Sequence, residues 1–277
     1  AALGGYLSGS GPAIPTFFYG PLIPGPYKTP NFYCNVRGVF TNTVPVDAYR
    51  GAGRPEATYV TERLVEAASE ITGIDSIELR RKNFIQPDQF PYSSPGTLTY
   101  DSGDYEATLN SALKSIDYSN FNKRKNESIK NGKLRGLGIS CYIEACGVAP
   151  SKLTLEAGGR GGYYESSTVR INPTGSVTVF TGSHSHGQGH ETVFAQLVHE
   201  KLGVPFESVD VVHGDTGRVP FGVGTVGSRS LAVGGPALMR SLDKIIEKGK
   251  LIAAHLLDST NEEITFENGE FSVSNTN

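Results

Sequence analysis

The chain has 277 residues, of which 38% are hydrophobic and 19% charged, and its formal net charge is -3 at pH 7. These values are typical of a globular protein with one large or two ordinary domains, and they argue against nucleic acid or an anionic membrane as a partner. No apolar run approaches the ~20 residues that span a bilayer. Three scattered cysteines are too few for a disulfide framework, so we expect a cytoplasmic protein.

The two ends of the sequence predict a piece of a longer protein. The chain opens at Ala1 in the run AALGGYLSGSGPAIP, and its only methionine is Met239. A native start normally carries methionine or a processed small residue. We therefore expect a central fragment of a larger subunit rather than a complete protein.

Prolines dominate the first part of the chain. They recur every few positions from Pro12 to Pro30, which argues against helix and central strand alike. The alternation from Asn35 to Val46 favours a strand. Apolar residues at three- and four-residue steps predict an amphipathic helix from Glu56 to Ile71, ended by Gly73.

A shorter helix is predicted next, capped by Asp75 and running to Phe84. Its expected inward residues are Ile77 and Leu79, and its expected outward residues are Arg80, Arg81 and Lys82. The pattern is helical again from Tyr105 to about Gly132, where a polar, basic stretch suggests a seam between two subdomains. We therefore predict subdomains at 1–132 and 133–277.

The second half begins with a predicted buried strand from Leu134 to Val148, followed by a flexible GGRGG loop at residues 158–162. Two hairpins are predicted, one across Asn172–Gly175 and one with Asn268-Gly269 at its tip. Between them the pattern indicates a helix from His190 to Leu202, a short strand within Ser208–Gly214, and a long helix within Ser230–Leu257. Strands and helices alternate without a clean parallel rhythm, so the predicted fold class is α+β.

Two glycine-rich loops carry the strongest functional signal. TGSHSHGQGHE (Thr181–Glu191) leads from a strand into a helix, where glycines and free N–H groups favour an anionic ligand. The second, HGDTGRVPFGVGTVGSRSLAVGG (His213–Gly235), adds hydroxyls and a guanidinium that could cradle a phosphate. The second loop has neither the Walker A nor the Rossmann spacing. Tight turns in the first loop and a flexible lid in the second are the simpler alternatives.

Histidines in the first loop leave zinc open as a rival ligand. His184, His186 and His190 lie close in sequence, and imidazole is a common zinc ligand, which would suit a zinc-dependent hydrolase. A third loop, AYRGAGRPEA, places Arg50 and Arg54 around small residues, and such an arginine could hold an anionic substrate or serve a surface ion pair. A non-catalytic scaffold segment is the remaining alternative.

Together these three motifs resemble the molybdopterin-binding large subunit of the molybdenum hydroxylases, which include xanthine dehydrogenase, aldehyde oxidase and carbon monoxide dehydrogenase. The sequence is most similar to the carbon-monoxide-dehydrogenase-like subunits, and the resemblance covers nearly the whole chain. It implies two α+β subdomains around a molybdenum-bearing molybdopterin, as the cytosine dinucleotide in prokaryotes, with no protein ligand to the metal. It also implies oxidation of a small molecule, with water as the oxygen source. Electrons would leave through iron–sulfur clusters and FAD on partner subunits.

Residue roles follow from the same resemblance. It implies cofactor contacts by two groups of residues: Gly187, Gln188, Gly189 and His190 in the first loop, and Gly224, Thr225, Gly227, Ser228, Arg229 and Ser230 in the second. Arg50 matches the catalytic arginine near the metal, with Tyr49, Gly51 and Ala52 lining the substrate pocket.

Two departures from the family pattern shape the functional expectation. The family's catalytic glutamate and its upstream Gly-Gly-Phe-Gly loop have no match here, so we expect the chain alone to be inactive without the rest of the large subunit. Carbon monoxide dehydrogenases carry a copper-binding cysteine directly after the loop arginine, where this chain has Gly51. Copper(I) needs a soft thiolate ligand, so an aldehyde or an N-heterocycle is the better expectation.

Overall fold

In a computed structural model of the chain, residues 1–147, 151–156 and 163–274 are described. They belong to two compact units, Ala1–Glu144 and Ala145–Asn277, called here the N-terminal and C-terminal units. The subdomain boundary expected after residue 132 stays a prediction.

The α-helices are α1 (Arg54–Thr72), α2 (Ser76–Asn83), α3 (Tyr105–Ser115), α4 (Phe121–Lys130), α5 (Ser151–Glu156), α6 (His190–Leu202) and α7 (Gly235–Leu256). The strands are β1 (Tyr92–Ser93), β2 (Thr99–Tyr100), β3 (Ser167–Ile171), β4 (Val177–Thr181), β5 (Val209–Val212), β6 (Ile264–Glu267) and β7 (Glu270–Val273).

The proline-rich start contains short helical turns, so the expectation of no helix was wrong. They span Gly11–Ala13, Ile14–Phe18 and Gly20–Leu22. Each turn has proline in its first two positions, where the missing N–H has no helical partner to lose. Proline therefore starts these turns and keeps them short.

Helix α1 confirms the predicted helix and its end at Gly73, which adopts a left-handed conformation and donates its N–H to the Ser69 carbonyl at 2.9 Å. The predicted apolar face was Ala57, Val60, Leu64, Ala68 and Ile71, and of these only Ala57 is buried. Leu64 is 64% exposed and Ile71 is 86% exposed, whereas Glu62 is buried. The periodicity located the helix correctly, but it predicted the buried side only in the first turn of the face.

Helix α2 begins as predicted, because the Asp75 carboxylate accepts hydrogen bonds from the N–H groups of Ile77 and Glu78 at 3.0 and 3.2 Å. The outward placement of Arg80 was wrong, since its side chain is fully buried. Its Nη2 lies 2.9 Å from the Glu62 carboxylate. A buried carboxylate on the neighbouring helix makes burial of this guanidinium tolerable.

Two predicted strands do not form. In the stretch from Asn35 to Val46, a single isolated bridge joins Val39 to Ala2. Residues 1–5 make further backbone hydrogen bonds to this stretch, such as Gly5 N–H to the Thr43 carbonyl at 3.1 Å, but without the regular pairing of a strand. In the stretch from Leu134 to Val148, described as far as residue 147, the backbone bonds to buried side chains instead: the Ile139 carbonyl accepts from Arg80, and the Cys141 N–H donates to Glu62.

The helical stretch after Tyr105 is broken into α3 and α4. Asp117 has a left-handed backbone (φ +49°) between them. Arg124 of α4 donates to the Asp117 carboxylate at 2.6 Å and to the Ile116 carbonyl at 2.7 Å. The arginine thus satisfies an acceptor at the α3 end and holds the two helices at a turn.

The C-terminal unit is built on a three-stranded sheet in the order β3-β4-β5. β3 and β4 form the predicted antiparallel hairpin, and β4 pairs in parallel with β5, with α6 as the crossover between them. The core comprises Val177, Val179, Phe194, Val198, Leu202, Leu238 and Leu242. Burial of each such side chain contributes about 1.5–3 kcal/mol, and this core fixes β4 and the start of α6 relative to each other.

Helix α7 and the β6–β7 hairpin complete this unit as predicted. Asn268 and Gly269 both have positive φ (+50° and +87°) at the hairpin tip, as a two-residue Asn-Gly turn requires. Helices thus combine with antiparallel hairpins and one parallel strand pair, which confirms the α+β class. The GGRGG loop at 158–162 lies outside the described residues. None of the helices in the described ranges is both long and apolar enough to cross a bilayer.

Candidate functional site

The first glycine-rich loop, residues 182–189, connects β4 to α6. Gly187 and Gly189 have φ values of +97° and +77°, and a Cβ added at either would meet no described atom within 4 Å. Their backbone conformation therefore favours glycine, while packing does not. The space beside both residues is open to a ligand.

The loop ends where α6 begins, so the first N–H groups of the helix face the loop. His190 is the first residue of α6 and is buried, and its Nδ1 has no hydrogen-bond partner in the described part of the chain. Burial lowers the pKa of His190, and the nearby His213, His186 and His184 lower it further against an opposing effect of Glu191. A neutral imidazole beside a helix N-terminus leaves one ring nitrogen for a ligand.

The second glycine-rich loop, residues 213–229, packs directly on the first. Thr225 Oγ1 accepts from the His184 N–H at 3.1 Å and donates to the His184 carbonyl at 2.6 Å. The Gly224 N–H donates to the Gly182 carbonyl at 3.2 Å. The structure thus brings together two loops that the sequence predicted to share a ligand.

Two glycines allow this approach. A Cβ on Gly182 would lie 2.2 Å from the Gly222 Cα, and a Cβ on Gly222 would lie 2.3 Å from the Gly182 Cα. No side chain fits at either position without separating the loops.

Four of the six histidines gather around these loops: His184, His186, His190 and His213. His184 Nδ1 lies 3.3 Å from His186 Nε2, and the rings of His184 and His213 meet edge to face at 5.4 Å. His213 Nε2 is 2.7 Å from the Glu191 carboxylate. No group of three His, Cys, Asp or Glu residues in the described ranges could hold a metal ion, so the zinc hypothesis finds no support.

Arg229 does not present its guanidinium as the sequence suggested. It is fully buried and pairs with Glu165, whose side chain is also fully buried, at 2.7 Å. Its terminal nitrogens donate to the carbonyls of Gly224, Tyr163 and Tyr164 at 2.7–3.0 Å. The bonds that this side chain makes are internal, and its contact with a cofactor stays a prediction.

The other predicted residues of the second loop divide between exposed and internal positions. Gly224 has a φ of +84° with open space where a Cβ would lie, and Ser228 is exposed with a φ of +53°. Ser230 is buried, and its hydroxyl lies 3.0 Å from Thr225 Oγ1. The Gly227 carbonyl accepts from the Gly147 N–H at 2.9 Å.

Gln188, in the first loop, is exposed, and its side-chain oxygen accepts from the His186 N–H.

The Arg50 loop belongs to the N-terminal unit. Arg50 and Tyr49 are exposed, Tyr49 at 87%. The next three residues, Gly51, Ala52 and Gly53, have φ values of +102°, +44° and +89°. This run of left-handed conformations turns the chain sharply into α1 and leaves the Arg50 side chain accessible.

Sequence reasoning missed Glu165 and Ser183. Glu165 pairs with a residue 64 positions away, and no local pattern marks such a partner. Ser183 has a fully buried Oγ with no hydrogen-bond partner in the described ranges. Its position inside the glycine-rich loop was the one available signal.

Comparisons with known proteins identify relatives of the chain. Two profiles, each described as a molybdopterin cofactor-binding domain, match residues 1–84 and 111–277. The carbon monoxide dehydrogenase large chain of Hydrogenophaga pseudoflava is 38% identical over 90% of this chain and 31% of its own length. The nicotine 6-hydroxylase large subunit of Paenarthrobacter nicotinovorans is 33% identical over 90% of this chain and 30% of its own length.

A solved structure, quinoline 2-oxidoreductase from Pseudomonas putida 86, matches with a TM-score of 0.83 and 32% identity. The match covers 99% of this chain and 35% of that one. The chain thus spans about a third of the length of the relatives it matches. With profile matches over most of its length and a shared fold, the chain belongs to the family of molybdopterin cofactor-binding domains.

Proposed function

We propose that the chain forms the central part of the molybdopterin-binding large subunit of a molybdenum hydroxylase. The observation that carries the proposal is the joined pair of glycine-rich loops at the start of α6. Gly187, Gly189 and Gly224 all have positive φ and open space where a side chain would project. Backbone N–H groups and open space are what a large, phosphorylated cofactor needs.

The donor set fits this cofactor. Ser183 Oγ and His190 Nδ1 are buried without a partner in the described ranges, so a ligand with polar ring atoms would satisfy them. In this proposal Gly187–His190 contact the pterin, and Gly224–Ser228 hold the phosphate or nucleotide part. When bound, the cofactor supplies oxidation of a carbon centre with water as the oxygen source.

Arg50, in the N-terminal unit, is proposed to act on the substrate. Its exposed guanidinium can hold an anionic or oxyanionic group. Tyr49, the preceding residue, offers an exposed aromatic ring, and Gly51 and Ala52 add no large side chain after it. This arrangement would orient a flat or carbonyl-bearing substrate.

An aldehyde or an N-heterocycle is the proposed substrate, rather than carbon monoxide. Gly51 stands where the family's copper-binding cysteine would be. Its φ is +102°, and a Cβ would lie 2.4 Å from the Pro55 Cγ. A cysteine therefore does not fit this loop conformation, although the H. pseudoflava relative is a carbon monoxide dehydrogenase by name.

We further propose that the cofactor is the cytosine dinucleotide form and that iron–sulfur and flavin partner subunits accept the electrons. The relatives are named as large chains or large subunits, which supports a multi-subunit complex. The rest of the large subunit would supply the catalytic glutamate.

The test is to express the complete subunit with its partners and to measure molybdenum, pterin and released nucleotide in the purified complex. We expect molybdenum and pterin in near-equal amounts, with CMP after acid hydrolysis. A complex that contains zinc but no molybdenum or pterin would refute the family function. A different nucleotide would refute only the cytosine assignment.

A further inference from the structure

Glu165 and Arg229 form a fully buried ion pair in the C-terminal unit. Both side chains have no exposed surface, and Arg229 Nη1 lies 2.7 Å from a Glu165 carboxylate oxygen. Burying two charges is costly unless each is well bonded. A buried pair beside two candidate ligand loops is therefore expected to have a specific structural role.

Nearly all nitrogens of the Arg229 guanidinium donate hydrogen bonds to other groups of the protein. Nη1 also donates to the Gly224 carbonyl at 3.0 Å, and Nη2 donates to Tyr163 and Tyr164 at 2.8 and 2.7 Å. Only Nε lacks a partner among the described residues. The contact to Gly224 closes residues 224–229 onto the guanidinium and shapes the second loop.

Glu165 reaches the first loop with its other oxygen. Oε1 accepts from the Ser166 N–H at 3.1 Å. A Cβ added to Gly182 would lie 2.4 Å from the same oxygen, so the carboxylate packs directly against the first loop. The ion pair thus touches one loop through each partner.

We propose that Glu165 and Arg229 are positioning residues that set the distance between the two loops. The inference rests on the proposed function, in which these loops hold the cofactor. Arg229 orients the backbone of the second loop and makes no cofactor contact of its own.

The test compares three variants by hydrogen exchange in the 277-residue chain. Glu165→Gln removes the charge, and Arg229→Lys keeps a charge but cannot span three carbonyls and a carboxylate with a planar fork. Ile264→Ala is the control, because Ile264 is buried in a separate cluster with Ala253 and Ala254. We expect both pair variants to speed exchange in residues 182–189 and 213–229 selectively, while Ile264→Ala lowers stability without a selective effect on the loops.

A second measurement follows cofactor retention in the complete subunit. Mutation of a residue that orients the direct contacts of a metal site typically lowers metal affinity by about 10- to 100-fold. We expect a loss of similar size in retained molybdenum for Glu165→Gln. Arg229→Lys should have an unfolding midpoint closer to that of the wild type than Glu165→Gln has, yet it should still lose cofactor. Ile264→Ala should keep its cofactor.

Two outcomes overturn the inference: loop exchange that is unchanged in the pair variants, or exchange that rises evenly across the unit as overall stability falls. If a single variant fails to fold, the double variant Glu165→Met with Arg229→Met removes both charges together and should still loosen the loops. A wild-type subunit without molybdenum would refute the proposed function, while loop exchange would still decide the role of the pair.

Discussion

Gly53, the residue before α1, has a backbone that few side chains can adopt. Its φ is +89°, and an added Cβ would lie 2.6 Å from the Ile14 carbonyl oxygen. Gly73 also has positive φ (+70°), but open space surrounds it. Comparing the two glycines therefore separates the free-energy cost of a left-handed conformation from the cost of a steric clash.

Replacing each glycine with alanine tests this difference. Gly73→Ala should cost about 1–2 kcal/mol, since it carries only the left-handed conformation. Gly53→Ala should cost about 1–3 kcal/mol more, because the collision is with backbone. Urea unfolding measures both, and equal losses would contradict the predicted collision at Gly53.

Gly187 and Gly175 form a second matched pair. Their φ values are +97° and +84°, and both have open space around them, but Gly175 lies in the β3–β4 turn. Alanine at either position should cost a similar roughly 1–2 kcal/mol of stability. We expect only Gly187→Ala to reduce the pterin content of the complete subunit, and equal pterin in both variants would remove Gly187 from the cofactor site.

The Cys141 thiol should be chemically quiet. Burial, reinforced by the Glu62 carboxylate, raises the pKa of Cys141 to about 11. Because the thiolate is the reactive form, iodoacetamide at pH 8 should modify exposed Cys146 much faster than Cys141. Mass spectrometry of the digested protein would measure both rates, and the difference should vanish in urea. Equal rates in the native protein would contradict the burial of this thiol.

At the scale of elements, local patterns predicted what local bonds decide. Asp75 and Gly73 mark helix ends through bonds to neighbouring residues, and Asn268-Gly269 defines its hairpin in the same way. Helix α6 was predicted with its full bounds because its core residues, such as Phe194 and Val198, follow the helical repeat. These features depend on few residues outside the element.

Distant bonds decided the elements that were predicted wrongly. Arg80 is inward because Glu62 lies on α1, and the stretch after Leu134 is held by those same two side chains. The stretch up to Val46 bonds to residues 1–5 without the regular pairing of a strand. For the candidate site, the loops and their glycines could be predicted, but the buried role of Arg229 could not, because Glu165 lies 64 residues away.

The Glu62–Arg80 pair gives a test at this scale. Arg80→Met leaves the Glu62 carboxylate buried without its counter-charge, which should cost roughly 3–5 kcal/mol. Arg81→Met is the control, because that neighbouring arginine pairs with Glu78 at the surface and should change stability by only about 0–1 kcal/mol. Urea unfolding measures both, and similar losses would show that the buried pair is not what holds α1 to α2.

At the scale of the whole molecule, the candidate residues belong to two compact units. Arg50 and its small neighbours lie in the N-terminal unit, and the joined loops lie in the C-terminal unit. Fold class and family could be predicted because three motifs of the family occur here in the family's order, and the resemblance covers nearly the whole chain.

The isolated chain should not turn over substrate. It spans about a third of its relatives' length, and none of its motifs matches the family's catalytic glutamate. We expect no oxidation of quinoline or benzaldehyde with an artificial electron acceptor, even after incubation with the cofactor. Turnover by the chain alone would mean that one of its own residues serves as the base.

The close approach of Gly182 and Gly222 has a consequence for engineering. Since their backbones touch at positions where no side chain fits, the length and conformation of one loop limit those of the other. An insertion in either loop would need a compensating change in its partner. A graft of this ligand-binding feature into another scaffold must therefore carry residues 182–230 as one continuous segment, together with the carboxylate of Glu165.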